Sequence, residues 1–335
     1  MCIMGNKNFS DIGRVAAIDY LYGGTPFEKH RKNVFNSNGT ISVSASRLFL
    51  EGLDFDLVYF PLKHLGYKAV TAVTGELYAS LASPKGLDVR LGISAKLDLP
   101  QIKELWEGIV TAASEHGYSS MSLDLLPSGN GLSIAISAAG EADGAERPSP
   151  QSKDLVCVSG SLGAAYIGFK ALELARKKFD ADGMQPDLEK YKMMVAAYLK
   201  PEIDPSVVSQ LKDSGVVPSA GYLVDRGLAD AVKRLAKDTG LGAKLYADKI
   251  PFEGNSFEFG KEMDVDPLSC AMNGGEDYRL LYTIPISMYE TFRHDFQTFD
   301  IIGHLAMPEA GTVLVTPEGA ELPLRAQGWP DSQDD

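Results

Sequence analysis

Asn273-Gly-Gly-Glu-Asp-Tyr278 sets a glycine pair before two consecutive acids, and the apolar run Leu280-Leu-Tyr-Thr-Ile-Pro285 follows at once. Glycine lets a backbone turn sharply or approach another group where a Cβ would clash. The run behind it reads as a buried strand fed by a polar loop. Taken alone, the pattern is shared by many tight turns. Its weight comes from what accompanies it along the chain.

The chain has 335 residues, which suggests two domains rather than one core. Its 44% hydrophobic and 23% charged residues are ordinary globular values. No apolar run approaches the roughly eighteen residues that a membrane span needs. The start, Met1-Cys-Ile-Met-Gly-Asn-Lys7, lacks the apolar core of a secretory leader, so the expectation is a cytoplasmic protein that meets no membrane. A formal net charge of −13 argues against nonspecific nucleic-acid binding, which needs clustered Lys and Arg. The same charge means that a nucleotide would have to be held by a local positive feature or a metal. Cys2, Cys157 and Cys270 have no metal-type spacing; the latter two sit in apolar runs and read as buried thiols.

Hydrophobic periodicity places a strand over 41–50, a helix over 62–82 rich in small residues, a strand over 89–95 and a helix over 99–116 opened by Pro100. Another strand covers 132–138. The polar, proline-containing stretch Glu141–Pro150 marks a boundary. Two domains are therefore expected, 1–145 and 151–330, with 331–335 a frayed tail. The second opens with the strand 155–158 and a glycine turn into a helix over 163–177. Helices over 187–213, a turn around Gly221, a helix over 227–239 and several strands complete it. Without regular βα alternation this is an α+β protein. Ser159-Gly-Ser-Leu-Gly163 precedes a helix and could cradle a phosphate; the preferred reading gives its glycines to packing. His64, His116, His294 and His304 are dispersed and form no metal-ligating spacing.

Beside the opening stretch, Leu50-Glu-Gly-Leu-Asp-Phe55, His64-Leu-Gly-Tyr-Lys-Ala69, Val158-Ser-Gly-Ser-Leu-Gly163, Leu199-Lys-Pro201, Ile302-Gly-His304 and Ala326-Gln-Gly-Trp329 occur in a fixed order. Together they resemble the thiamine-monophosphate kinase family, within the aminoimidazole-ribonucleotide (AIR) synthetase superfamily, from Gly52 to Trp329. That resemblance implies a two-domain α+β fold with a dimerising N-terminal domain and a C-terminal α/β sandwich. It also implies a homodimer, and MgATP and thiamine phosphate bound near the groove between the domains. Gly274, Gly275, Glu276, Asp277, Asp54 and Trp329 match positions expected to shape the substrate side of that groove.

Phosphoryl transfer rests on positioning and on neutralising charge with Mg²⁺, which takes oxygen ligands. The family supplies those ligands from aspartates in five motifs, and here the chain departs. Its "GDDAAV" loop corresponds to residues 31–40, which contain no acid. The acid of the "(S/T)TD" strand corresponds to Arg47, that of "NxSD" to Glu76, and that of "GGDTT" to Asp124 within Ser122-Leu-Asp-Leu-Leu126. In "DxSDGL" the two acids correspond to Leu223 and Arg226, with Asp225 shifted by one residue and expected on another face. An arginine cannot ligate a cation.

The leading expectation is therefore a paralogue with lost or impaired phosphoryl transfer, no cofactor, and a binding, regulatory or structural role. On that reading Arg47 or Arg226 pairs with Glu76 or Asp124 within about 4 Å. One alternative is an active kinase using Mg²⁺ and ATP, with Glu76 and Asp124 as the metal ligands. Another is a metal-independent binder of a phosphorylated small molecule, since guanidinium groups pair with phosphate.

Overall fold

The computed structural model describes residues 9–26, 33–37, 40–143, 147–184 and 187–329. Cys2, the expected leaderless start, part of the acid-free 31–40 region and the tail 331–335 lie wholly or partly outside these.

The first half contains α1 (Phe9–Tyr22), β1 (Asn33–Ser37), β2 (Thr40–Leu50), α2 (Leu62–Ala79), β3 (Ser83–Ser94), α3 (Leu99–Glu115), β4 (Ser120–Ser128) and β5 (Ser133–Asp143). The five strands form one mixed sheet in the order β1-β2-β5-β3-β4, with β3 and β4 parallel. Along β2 the inward residues Val43, Ala45 and Phe49 are buried, while Ser46, Leu48 and Leu50 on the other face are exposed. This is the period-two alternation of a half-covered strand. The covering element is α2. It is buried on nearly every side, as expected for a helix rich in small and apolar residues. Asp98 caps α3 reciprocally with Gln101, and Pro100 occupies the first turn.

The second half follows with β6 (Leu155–Ser159), α4 (Ala164–Asp182), α5 (Lys192–Leu199), α6 (Val207–Ser214), β7 (Ala220–Val224), α7 (Leu228–Thr239) and β8 (Gly242–Tyr246). It continues through α8 (Ser256–Glu262), α9 (Pro267–Asn273), β9 (Arg279–Ile284), α10 (Tyr289–Asp295), β10 (Phe299–Ala306), β11 (Thr312–Val315) and β12 (Glu321–Pro323). Its seven-stranded sheet runs β12-β11-β8-β10-β6-β9-β7, mostly antiparallel, with β8 and β11 parallel. The whole is α+β, as the mixed pattern of elements predicts. Alternate residues of β6 serve different cores: Val156 and Val158 pack toward α7, while Cys157 joins the core around α2.

That second core crosses the halves. Val70 and Leu77 of α2 lie in one cluster with Leu223, Tyr278 and Tyr282. Gly221 makes the approach possible. It lies inside β7, not at the expected turn, and a Cβ there would come within 2.2 Å of the Ala79 carbonyl oxygen. Close backbone contact, not reversal of the chain, is what this glycine serves. Residues 122–126 belong to the continuous strand β4, an element that periodicity did not place.

Candidate functional site

The contact between halves carries a cluster of buried charge. The alternation of β2 turns Arg47 toward the second half, where its Nη1 donates to Asp225 Oδ2 at 2.7 Å and its Nη2 to Glu276 Oε1 at 3.3 Å. Lys68, fully buried on α2, forms an ion pair with the other oxygen of Glu276. Its ammonium also donates to the Tyr198 carbonyl oxygen at 2.9 Å and lies 3.8 Å from the centre of the Tyr198 ring. Two cations of the first half thus meet two carboxylates of the second.

The opening stretch of the sequence explains how Glu276 reaches this point. Gly275 and Glu276 both adopt left-handed backbone, with φ of 76° and 67°. The Glu276 amide donates to the Asp225 carbonyl oxygen at 2.8 Å. A Cβ on Gly275 would stand 3.0 Å from that same oxygen, so glycine is required by both conformation and space. Glu276 itself bears the strain of a non-glycine residue in this region, and its carboxylate gains two cationic partners.

Burial would lower the Arg47 pKa, but Tyr278, Asp225, Glu276 and Asp54 outweigh it, and the guanidinium is held more firmly protonated than usual. For Lys68 burial dominates over the pull of Glu276, and its pKa is lowered. Asp225 extends the cluster outward. Its Oδ1 lies 3.6 Å from Arg234 Nη2, and Arg226 Nε is 3.8 Å from its Oδ2. Arg234 continues to Asp230 at 2.9 Å, which Arg14 of α1 reaches at 3.2 Å.

The expected arginine partners are corrected by this geometry. Among the described residues neither Arg47 nor Arg226 pairs with Glu76 or Asp124; Arg47 pairs with Asp225 and Glu276, and Arg226 approaches Asp225. Strand register gives one reason. Arg47 stands opposite Ile136, Ile136 opposite Val89, and Val89 opposite Leu123, so Asp124 projects from the opposite face of the sheet. Asp124 is exposed there and accepts from the Leu125 amide at 3.0 Å. Glu76 is buried on α2, eight positions beyond Lys68, which is about 12 Å along a helix. Asp225, expected to face elsewhere, is the central acid, because it lies between the end of β7 and the start of α7 and not on the helix.

The groove candidates divide. Asp54, Gly274, Gly275 and Glu276 line a cavity of about 150 Å³ together with Tyr166 and Tyr198. A neighbouring cavity of about 270 Å³ shares Asp54 and is walled by Asp56, Tyr59, Phe169, Glu173 and Arg176. Asp277 turns away: its carboxylate accepts from the Gly163 and Ala165 amides at 2.8 and 3.2 Å, at the start of α4. Burial raises its pKa to about 6, against the opposing pull of those two amides. Trp329 is also elsewhere, donating from Nε1 to Asp230 at 2.9 Å, with Lys233 and Lys237 against its ring.

Sequence reasoning passed over Lys68, Tyr198 and Arg234. The available signal for Lys68 was a cation set among the apolar and small residues that follow Leu65 in α2, away from Lys63 and His64 at the helix start. Among the described residues no group of three or more His, Cys, Asp or Glu side chains is arranged to hold a metal. Cys157 and Cys270 are buried thiols, and burial pushes the Cys270 pKa up to about 11.

No family model matches the chain. A thiamine-monophosphate kinase of Aquifex aeolicus is 22% identical over 243 residues, which cover 72% of this chain and 75% of the relative. The solved structure of AaThiL complexed with AMPPCP and TMP superposes with a TM-score of 0.82 at 18% identity, covering 96% of this chain and 98% of the other. A chain of the HypE–HypF complex superposes at 0.66 and 17% identity, over 92% and 98% of the two chains. The fold is therefore the one these proteins share.

Proposed function

We propose that this chain is a thiamine-monophosphate kinase-like protein that has lost MgATP-dependent phosphoryl transfer and retains its groove as a binding site. The observation that carries this reading is the engagement of Asp225 and Glu276 by Arg47 and Lys68 at the contact between halves. Mg²⁺ needs carboxylate oxygens presented to it, and here Arg47 Nη1 already occupies Asp225 Oδ2 at 2.7 Å. Separating Arg47 and Lys68 from these carboxylates would break buried ion pairs, at a cost of about 3 kcal/mol.

The active-kinase alternative needs Glu76 and Asp124 to act at one ion. Asp124 lies exposed on the face of the sheet away from Arg47, which speaks against it. The alternative of an anion held directly by Arg47 and Arg226 is weakened by the commitment of Arg47 to two carboxylates. Self-association belongs to the same proposal: Leu48, Leu50 and Leu126 leave an exposed apolar face on the first sheet that a second copy would cover. Among the described residues no helix is long and apolar enough to cross a membrane.

The test is phosphoryl transfer from ATP to thiamine phosphate in the presence of Mg²⁺. The expected result is no thiamine diphosphate above the protein-free control. Sustained turnover that is lost in Glu76→Gln would overturn the proposal.

A further inference from the structure

The two adjoining cavities carry information about ligand chemistry that follows from their walls. We infer that they take a small, flat organic cation bearing no phosphate, an inference that rests on the groove being a binding site and narrows its ligand. Tyr59, Phe169 and Tyr198 supply ring surface to the larger cavity, and Tyr166 to the smaller. The Phe169 and Tyr198 rings lie 5.4 Å apart at 45°, an angled pair and not a closed stack. Aromatic faces attract cations through their quadrupole, most strongly where water is partly excluded.

The carboxylates point the same way. Asp54, Asp56, Glu173 and Asp180 line the larger cavity against Arg176 and Lys177. Arg176 is spent on an ion pair with Asp56 and stands 3.7 Å from Asp180. Lys177, exposed at the rim, is the remaining cation of that wall among the described residues. Nearby, Lys170 is bound to Glu173 at 2.8 Å, while Arg47 and Lys68 are committed to Asp225 and Glu276.

A phosphate entering the groove would look for guanidinium groups or the free amides of a helix start. The start of α4, which contributes Tyr166 to the smaller cavity, already has a resident anion: the Asp277 carboxylate occupies the Gly163 and Ala165 amides. Three sources of phosphate affinity are thus filled from within, by Glu276, Asp225 and Asp277. A cation instead meets a wall on which the acids Asp54, Asp56, Glu173 and Asp180 outnumber Arg176 and Lys177. The cavity of about 270 Å³ lies at the small end of the roughly 300–1,000 Å³ typical of ligand sites, which suits one or two rings.

Thiamine and thiamine phosphate present the same cationic rings with and without phosphate, and both can be titrated calorimetrically into the full-length protein without nucleotide or metal. Thiamine is expected to bind, and thiamine phosphate to bind roughly tenfold more weakly or not at all, a difference of about 1.4 kcal/mol. The double variant Glu173→Gln, Asp180→Asn should weaken thiamine binding severalfold while its circular-dichroism melting curve stays that of a folded protein. Equal or tighter binding of thiamine phosphate overturns the inference, as does binding of neither at millimolar concentration. Because nucleotide is absent, these outcomes are separate from those of the phosphoryl-transfer assay.

Discussion

Two acid-bearing regions lie side by side at the meeting of the halves, and they treat charge in opposite ways. Around Arg47 the carboxylates of Asp225 and Glu276 are answered by buried cations. In the adjoining cavity Asp54, Asp56 and Glu173 stand on walls that are half-buried and reach solvent. The first arrangement buries its paired charges in holding the halves together; the second, although Arg176 pairs with Asp56 and Lys170 with Glu173, keeps its carboxylates in contact with solvent and with an entering ligand. The difference comes from burial: a charge removed from water must be paired locally, whereas one in contact with water is screened and inexpensive to hold.

Breaking the buried pairing should have the largest effect. Arg47→Met removes the shortest of the three arginine contacts of the fully buried Asp225 carboxylate and one of the two cations on Glu276, and a loss of about 3 kcal/mol in unfolding free energy is expected. Chemical denaturation monitored by tryptophan fluorescence measures it. A loss below about 1 kcal/mol would show that the two regions do not differ as described.

Asp277 sharpens the comparison because it is buried like the first region but held by amides and not by a cation. Its folded pKa, pushed up to about 6, lies above its ordinary 3.8. The protonated acid is therefore favoured in the folded protein. Its contribution to stability is greatest below pH 3.8 and is lost as pH rises to about 6. At about 1.4 kcal/mol per pKa unit the change amounts to about 3 kcal/mol. Unfolding titrations of the parent and Asp277→Asn at a series of pH values should show this loss only in the parent.

The smallest effect belongs to the cavity wall. Glu173→Gln removes a half-exposed ion pair with Lys170 and should change stability by less than about 1 kcal/mol. A cost comparable to that of Arg47→Met would place Glu173 among the structural charges and remove it from the ligand wall.

Much of the fold was legible because periodicity and packing agree. β2 alternates cleanly, α2 carries its small residues where neighbours crowd it, and Pro100 marks the start of α3. Gly221 misled because a glycine that admits another backbone looks in sequence like one that reverses the chain. β4 was missed because both of its faces are largely exposed, so its residues follow no inside–outside pattern. In the site, Arg47 was legible as a charge reversal, but its partners were not. Motif positions give spacing along the chain, whereas the choice between Asp124 and Asp225 is decided by strand register and by the left-handed turn at Gly275 and Glu276.

The central claim is that the protein's own cations have taken the place of a metal–nucleotide centre. Calorimetric titration of the full-length protein with a non-hydrolysable ATP analogue, with and without Mg²⁺, tests it most directly. The account predicts no metal-dependent heat of binding. Micromolar binding that appears only with Mg²⁺ would contradict it.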